Sequence, residues 1–195
     1  MNYLAHLALA GALEDHRIGS FLGDFVKGPL RGKYAPAIEA GIRQHRAIDA
    51  HTDRDTEITQ CRLLLGKEHR RYSGIAVDIL FDHLLARHWD RLYNEAFETF
   101  CERCYEELQS HQHLMPENAQ RFVTRMRAHR ILHSYYHRGT VQLALERTAP
   151  RVRQGKRLLA LLPAIDARYN ELDEAFVSIY PKLQRFAAQQ LTTAT

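Results

Sequence analysis

The chain of 195 residues has few cysteines, glycines and prolines, and it has no long hydrophobic run. Three cysteines, an odd number, argue against a secreted module held together by disulfides. Only ten glycines and six prolines, with no dense runs of β-branched residues, argue against an all-β sandwich or barrel. No stretch approaches the roughly 20 apolar residues that cross a bilayer, so no membrane span is predicted.

The apolar N-terminus, MNYLAHLALAGAL, differs from a signal peptide. It has no basic leader, contains His6, and runs directly into Glu14 and Asp15. We therefore expect a buried helix in a cytoplasmic protein. The apolar fraction of 45% and the mean hydropathy of −0.42 are typical of a globular chain, and the length suffices for one full core.

Positive charge is concentrated in one part of the chain. Residues 118–165 contain ten lysines and arginines against one acid, a net charge of +9, which leaves −5 for the remainder of a chain whose net charge is +4. This asymmetry favours a polyanionic partner: a nucleic acid, a phosphate-bearing ligand or an acidic protein. The alternative is a set of solvated basic helix faces with no partner.

Helical periodicity dominates the sequence and predicts a single all-α domain over residues 1–195, built as a helical bundle. Internal repeats, low-complexity tracts and linkers are absent from the sequence. The predicted helices span about 2–14, 18–26, 36–50, 56–67, 73–92, 94–112, 117–135, 138–148, 151–162 and 167–192.

Two carboxylates interrupt the apolar stripe of the helix predicted over 73–92. Asp78 and Asp82 lie one turn apart on the face that should pack against the core. Because a buried unpaired carboxylate is costly, such residues are bound to a metal or paired with Arg or Lys on a facing helix. If they bind a metal, we expect their removal to leave the fold largely intact, since repulsion within the metal-free cluster is relieved.

A second stripe, in EAGIRQHRAIDAHTD, places His45 and Asp49 on the apolar face of their helix. Such a histidine is often a satisfied core residue, but together with Asp78 and Asp82 it predicts a common divalent-metal site. Asp24, which follows a glycine between apolar neighbours, is a fifth candidate ligand, or else a turn residue. Carboxylate with imidazole suits Mn²⁺, Fe²⁺ or Mg²⁺ better than structural zinc, which normally recruits thiolates.

Two further patterns carry weaker functional signals. Cys101 and Cys104 form a C-x-x-C pair without a second pair, so packing is favoured over a redox or zinc site. His129, His133 and His137 share one helical face, and neighbouring arginines favour a cationic docking surface over a second metal site.

The segments MNYLAHLALA, GSFLGDFVKG, GIRQHRAIDAHTD and GIAVDILFDHLLARHW, in this order and spacing, resemble the acyl carrier protein phosphodiesterases, also called holo-acyl carrier protein hydrolases. The C-terminal FVSIYPKLQRF is similar to the closing segment of the same family. The resemblance therefore covers essentially the whole chain, and its N-terminal segments are the most specific.

The resemblance implies an all-α fold distantly related to the HD phosphohydrolases, and an enzyme that is typically Mn²⁺-dependent. Such an enzyme releases 4′-phosphopantetheine from holo-acyl carrier protein and leaves the apo protein. The acidic motif position of the family matches Asp24, which is the expected essential residue. The order Asp82-His83 is the reverse of the His-Asp pair of standard HD enzymes, so ligands are not carried over from that superfamily.

Roles for further residues follow from the expected phosphodiester chemistry. The serine leaving group needs a proton, for which His83 is the first candidate and His51 the second. Arg46 is expected to clamp a non-bridging phosphoryl oxygen. An acidic carrier protein, and not nucleic acid, is the expected partner of the basic segment. The arginines expected to dock it are Arg121, Arg125, Arg127 and Arg130.

Two other function classes remain open from the sequence. One is an HD-like, metal-dependent hydrolase of nucleotides or cyclic nucleotides. The other is a basic helical adaptor without enzymatic activity, which would bind an acidic protein or RNA and hold no metal.

Overall fold

The computed structural model describes residues 2–66 and 70–192. Among these residues it contains α-helices and short 3₁₀ turns but no strand, which confirms the predicted all-α class. The 3₁₀ turns are Gln112–Leu114 and Ala149–Arg151. In chain order the helices are α1 (Tyr3–Leu9), α2 (Glu14–Leu22), α3 (Pro36–Arg54), α4 (Thr56–Leu64), α5 (Arg70–Arg87), α6 (Trp89–Leu92), α7 (Phe97–Ser110), α8 (Glu117–Ala128), α9 (Ile131–Ser134), α10 (Gly139–Thr148), α11 (Lys156–Leu159), α12 (Leu162–Ala167) and α13 (Tyr169–Thr192).

Two helices predicted as continuous are interrupted. The segment 73–92 breaks after α5 and resumes as α6. The segment 117–135 breaks between α8 and α9, where Arg130 adopts a left-handed conformation with φ of 46°. The Leu132 N–H then donates to the Tyr105 hydroxyl at 2.9 Å instead of to a helical carbonyl. Apolar periodicity continues through both breaks, so the sequence pattern did not reveal them.

Other predicted boundaries also shift. The helix predicted over 2–14 ends at the C-terminus of α1, because the chain turns at Gly11 with φ of 79°. The helix predicted over 56–67 ends with α4, and position 67 lies outside the described residues. The helix predicted over 151–162 becomes a 3₁₀ turn followed by α11.

Helix α5 lies at the centre of the bundle. It packs against α1, α4, α10, α11 and α13, and most of its side chains from Ala76 to Ala86 are buried. A helix buried on all sides has no single polar face. The carboxylates on the apolar stripe of α5 therefore need hydrogen-bond donors or cations inside the protein.

Helices α2 and α3 cross at very short range. A Cβ atom on Gly19 would lie 2.0 Å from the carbonyl oxygen of Ile38, and one on Gly41 would lie 2.3 Å from that of His16. Backbones this close exclude any side chain at either position. The crossing fixes the C-terminal end of α2 against the middle of α3.

Asp82 on α5 holds the N-terminus of α1. The N–H of Leu4 donates to Oδ2 at 2.8 Å, and the N–H of Ala5 donates to Oδ1 at 3.1 Å. These N–H groups have no partner within the helix, and a carboxylate also complements the helix dipole. Burial nevertheless raises the pKa of Asp82 to about 7, against the effect of the two backbone donors. Asp82 thus accepts hydrogen bonds from the backbone of α1, whereas the sequence predicted that it binds a metal.

We expect Asp82→Ala to destabilise the protein, contrary to the expectation for a metal ligand. Two buried N–H groups would lose their acceptor, at a cost of about 1–3 kcal/mol each. The free energy of unfolding, measured by urea denaturation without added metal, should fall by about 2–5 kcal/mol. Asp82→Asn keeps one acceptor oxygen and should show a smaller loss. An unchanged urea midpoint for Asp82→Ala would contradict this role.

Candidate metal centre and adjoining pocket

Two helices bring three possible metal ligands together. His6 lies on α1, and His45 and Asp49 lie on α3. The Nε2 atom of His6 is 3.0 Å from Asp49 Oδ1, and Nε2 of His45 is 3.2 Å from Asp49 Oδ2. One donor atom from each residue lies within 4.8 Å of the other two. The two imidazoles stack with centroids 3.7 Å apart, so they form the buried floor of the cluster.

The backbone fixes the orientation of the His45 ring. Its Nδ1 lies 2.7 Å from the carbonyl oxygen of Ser20, which can only accept, so Nδ1 carries the hydrogen. In the neutral ring, Nε2 then presents a lone pair toward the Asp49 carboxylate. A lone pair and an anion repel each other unless a proton or a cation lies between them. The arrangement matches metal-binding histidines, whose second nitrogen commonly donates to a carbonyl.

Gly23 leaves the space that the His45 ring occupies. A Cβ atom at this position would lie 2.2 Å from Cγ of the ring. Ser20, which binds the ring through its carbonyl, also donates its hydroxyl to the His6 carbonyl at 2.9 Å. The end of α2 therefore positions the His45 ring and binds the backbone of His6.

The protonation states suit metal binding. Burial lowers the pKa of His6 to about 3, so this imidazole is neutral at neutral pH. Burial favours the protonated form of Asp49, but the interactions of its carboxylate with the His45 and His6 rings outweigh that effect and hold its pKa well below the ordinary range. Neutral imidazole and ionised carboxylate are the forms that coordinate a cation.

Asp24 lies beside the cluster, where the sequence placed it as a ligand. One carboxylate oxygen is 3.7 Å from Nε2 of His45, and the side chain is 41% exposed. Arg46 donates to the carbonyl oxygens of Gly28 at 2.9 Å and Val26 at 2.8 Å. Its guanidinium therefore holds the loop that carries Asp24, and the phosphate-clamp role predicted for Arg46 stays a prediction.

The structure does not bring the α5 carboxylates into this cluster. Asp82 bonds to the backbone of α1, and Asp78 lines a pocket described below. The cluster expected to join Asp78 and Asp82 with the α3 residues is therefore not formed, and His6 is the residue that lies with His45 and Asp49 instead. A carboxylate within an apolar stripe can be satisfied by free backbone N–H groups as well as by a metal.

The two histidines predicted as proton donors lie in structural positions. His83 is buried: its Nδ1 donates to the Tyr135 carbonyl at 2.7 Å, and its Nε2 accepts from the Tyr169 hydroxyl at 3.0 Å. The ring of His51 stacks on Phe186 with centroids 4.0 Å apart. Because both nitrogens of His83 are already bonded, the predicted general-acid role is not supported by its contacts.

A pocket of about 660 Å³ is lined in part by α1, the helix that carries His6. Tyr3, one helical turn before His6, lines it, and the Tyr3 ring packs 4.6 Å from Phe122 of α8. Arg125 also lines this pocket. Other lining residues come from α5, from the region of α9, and from α10 with the 3₁₀ turn after it.

The four arginines predicted to dock a partner do not share one surface. Arg125 lines the 660 Å³ pocket, whereas Arg127 lines a separate one and donates to Gln109. Arg121 pairs with an acid in its own helix, and Arg130 pairs with two acids of α7. The basic segment is therefore divided into paired and unpaired charges.

A second group of possible ligands contains Glu98, Glu102 and His133. Arg130 already donates to Glu98 at 2.5 Å and to Glu102 at 2.8 Å, so its guanidinium neutralises this acidic site. Cys101, in the same helix, is free and buried, as is Cys104, which agrees with the packing role predicted for both.

His6 is the possible metal ligand that the sequence did not predict. It was noted only as a polar residue inside the apolar N-terminal run. The sequence did contain a signal for His6: an imidazole on the buried face of a short apolar helix needs a polar partner. The sequence could not place it against α3, which follows about 40 residues later.

The chain matches a family profile described as acyl carrier protein phosphodiesterase over residues 1–183. It is 34% identical to an acyl carrier protein phosphodiesterase of Yersinia pestis and 33% identical to one of Serratia proteamaculans, each over 96% of this chain and 97% of the relative. An enzyme of the same name from Pectobacterium atrosepticum is 32% identical over 97% of this chain and 99% of its own.

No solved structure matches the chain, so the relationship to HD phosphohydrolases stays a prediction. Within residues 2–66 and 70–192, no helix is both long and apolar enough to span a membrane.

We expect Mn²⁺ to stabilise the protein by binding His6, His45 and Asp49. A ligand at a hundred times its dissociation constant adds about 2.7 kcal/mol to the free energy of unfolding, which raises Tm by several degrees. Differential scanning fluorimetry should show this increase, and EDTA should reverse it. His6→Asn, His45→Asn and Asp49→Asn should each abolish it.

Glu98→Gln, in the second group, is the matched control and should keep the full Mn²⁺ response. The assignment fails if Glu98→Gln removes the response while the variants of His6, His45 and Asp49 retain it.

Proposed function

Because the chain belongs to the acyl carrier protein phosphodiesterase family, we propose that it hydrolyses the phosphodiester between 4′-phosphopantetheine and a serine of holo-acyl carrier protein. The products are apo-acyl carrier protein and 4′-phosphopantetheine. The observation that carries this proposal is the His6–His45–Asp49 cluster, which is open to solvent at Asp49, whose side chain is 45% exposed.

The donor set fits a catalytic divalent cation. Two imidazoles and a carboxylate suit Mn²⁺ or Fe²⁺, whereas Mg²⁺ prefers oxygen ligands and is the less favoured choice. We propose Mn²⁺. Bound there, it would lower the pKa of a coordinated water and offset negative charge on the phosphoryl oxygens.

Residues of the chain would hold the metal and position the groups around it. His6 and His45 would form the floor of the site, because Ser20 and Gly23 fix the His45 ring and the His6 ring stacks on it. Asp24, on the exposed side of His45, is placed to complete the donor set or to orient the attacking water. Arg46 positions Asp24 by holding the loop between α2 and α3. None of these steps requires His83 or His51.

Charge supports an acidic protein as substrate. The segment 118–165 carries +9, and acyl carrier proteins are small and acidic. Complementary charge raises the rate of encounter and sets orientation. A nucleotide phosphohydrolase would use the same kind of metal centre, so nucleotides are included as competing substrates in the test below.

The test is intact-mass measurement of holo-acyl carrier protein incubated with the chain and Mn²⁺. We expect complete loss of the phosphopantetheine mass, and no turnover of nucleotides or cyclic nucleotides. Asp49→Asn should reduce the rate at least ~10²-fold, as the loss of a metal ligand or its support commonly does.

Asp53→Asn is the matched control for Asp49→Asn. Asp53 lies one turn further along α3, is 72% exposed, and pairs with Arg62 outside the cluster. This variant should retain the wild-type rate. If holo-acyl carrier protein keeps its mass while nucleotides are hydrolysed, the proposed substrate is wrong.

A further inference from the structure

Three arginines converge on the 660 Å³ pocket from different elements. Arg125 lies on α8, Arg147 on α10, and Arg151 in the 3₁₀ turn that follows α10. Asp78 is the acidic residue among those that line the pocket, so the charged lining sums to +2. A pocket that gathers guanidinium groups from three elements attracts an anionic group.

These arginines differ from others of the basic segment in having no acidic partner. Arg130 pairs with two glutamates, and Arg138 pairs with an aspartate at 2.5 Å. Among the described residues, none of the three pocket arginines lies within ion-pair distance of an acid. Arg125 instead packs over the ring of Phe122, 5.3 Å from its centroid. Their charge is available to a ligand.

Much of the remaining lining is apolar. It includes Ile75 and Ile79 of α5 and Leu143 and Ala144 of α10. Leu143, which lines the pocket, is 51% exposed, so this apolar side chain is accessible to a ligand. Pockets that bind small molecules combine such apolar walls with a few charged groups, in volumes of roughly 300–1,000 Å³. The lining thus fits a ligand in which an anionic group is attached to a longer, mostly uncharged part.

Tyr3 links the arginines to the metal cluster. Burial raises the pKa of its phenol, and the charge of Asp24 raises it further. Arg151 and Arg125 act in the opposite direction on the same group. The Tyr3 hydroxyl therefore lies within electrostatic reach of the carboxylate beside His45 and of two pocket arginines. Tyr3 also lines the pocket, and its ring packs 4.6 Å from that of Phe122, over which Arg125 lies, so a phosphoryl group beside Tyr3 would be close to Arg125.

We propose that this pocket is the binding subsite for the phosphopantetheine arm, with Arg125 and Arg151 holding the phosphoryl oxygens beside Tyr3 and the apolar lining holding the arm. The inference rests on the proposed function and deepens it. Planar guanidinium groups bind phosphate oxygens in pairs, which would supply a clamp for the phosphoryl group in this pocket. The geminal methyl groups and methylenes of the arm match the lining of α5 and α10.

The test is isothermal titration calorimetry of the purified chain in Mn²⁺, with 4′-phosphopantetheine and with pantetheine, which lacks the phosphate. We expect the double variant Arg125→Gln/Arg151→Gln to weaken binding of 4′-phosphopantetheine at least tenfold and to leave pantetheine unaffected. Ala144→Trp fills the apolar part of the pocket and should weaken both ligands. Leu143→Asn, at an exposed position that tolerates a polar side chain, should weaken both to a lesser degree.

Arg127→Gln is the matched control, because it removes the same charge from the other side of α8 and should change neither affinity. The subsite is refuted if wild-type protein does not bind 4′-phosphopantetheine, or if the double variant binds it as wild type does. The mass assay with holo-acyl carrier protein measures cleavage independently of these binding measurements. Cleavage with unaltered binding in the double variant would refute the subsite alone, whereas arm binding without cleavage would refute the proposed function alone.

Discussion

The contact between α2 and α3 determines where the functional groups lie. Gly19 and Gly41 let the two backbones touch, and this proximity brings Gly23 and the Ser20 carbonyl onto the ring of His45. Any side chain at the crossing would separate the helices and release the ring. The glycine-rich N-terminal region therefore sets the geometry of the cluster, although none of its glycines binds a ligand.

A second constraint comes from α5. This helix is enclosed by its neighbours, and its Asp82 holds the start of α1. Because α1 carries both His6 and Tyr3, the position of this short helix decides whether His6 reaches His45 and Asp49 and where Tyr3 lines the pocket. Asp82, a carboxylate in the core, thus positions the site indirectly by holding α1.

Sequence periodicity predicted the parts of the site that lie within one helix. His45 and Asp49 are four residues apart on α3, so their shared face follows from helical geometry alone. His6 could not be predicted as their partner, because its position depends on how α1 packs. The role of Asp82 was predicted wrongly for a related reason: a buried carboxylate needs donors, but the sequence does not say whether a metal or a helix N-terminus supplies them.

The surroundings of the cysteines bear on the chemistry of the arm. Cys61, Cys101 and Cys104 are buried, and burial raises the pKa of each thiol, to about 11 for Cys61. Disulfide exchange requires a thiolate that can reach its target. The pantetheine arm ends in a thiol of its own, and a protein whose thiols stay protonated and enclosed does not form mixed disulfides with it. The release of the arm that we propose is therefore protected from covalent capture by the protein.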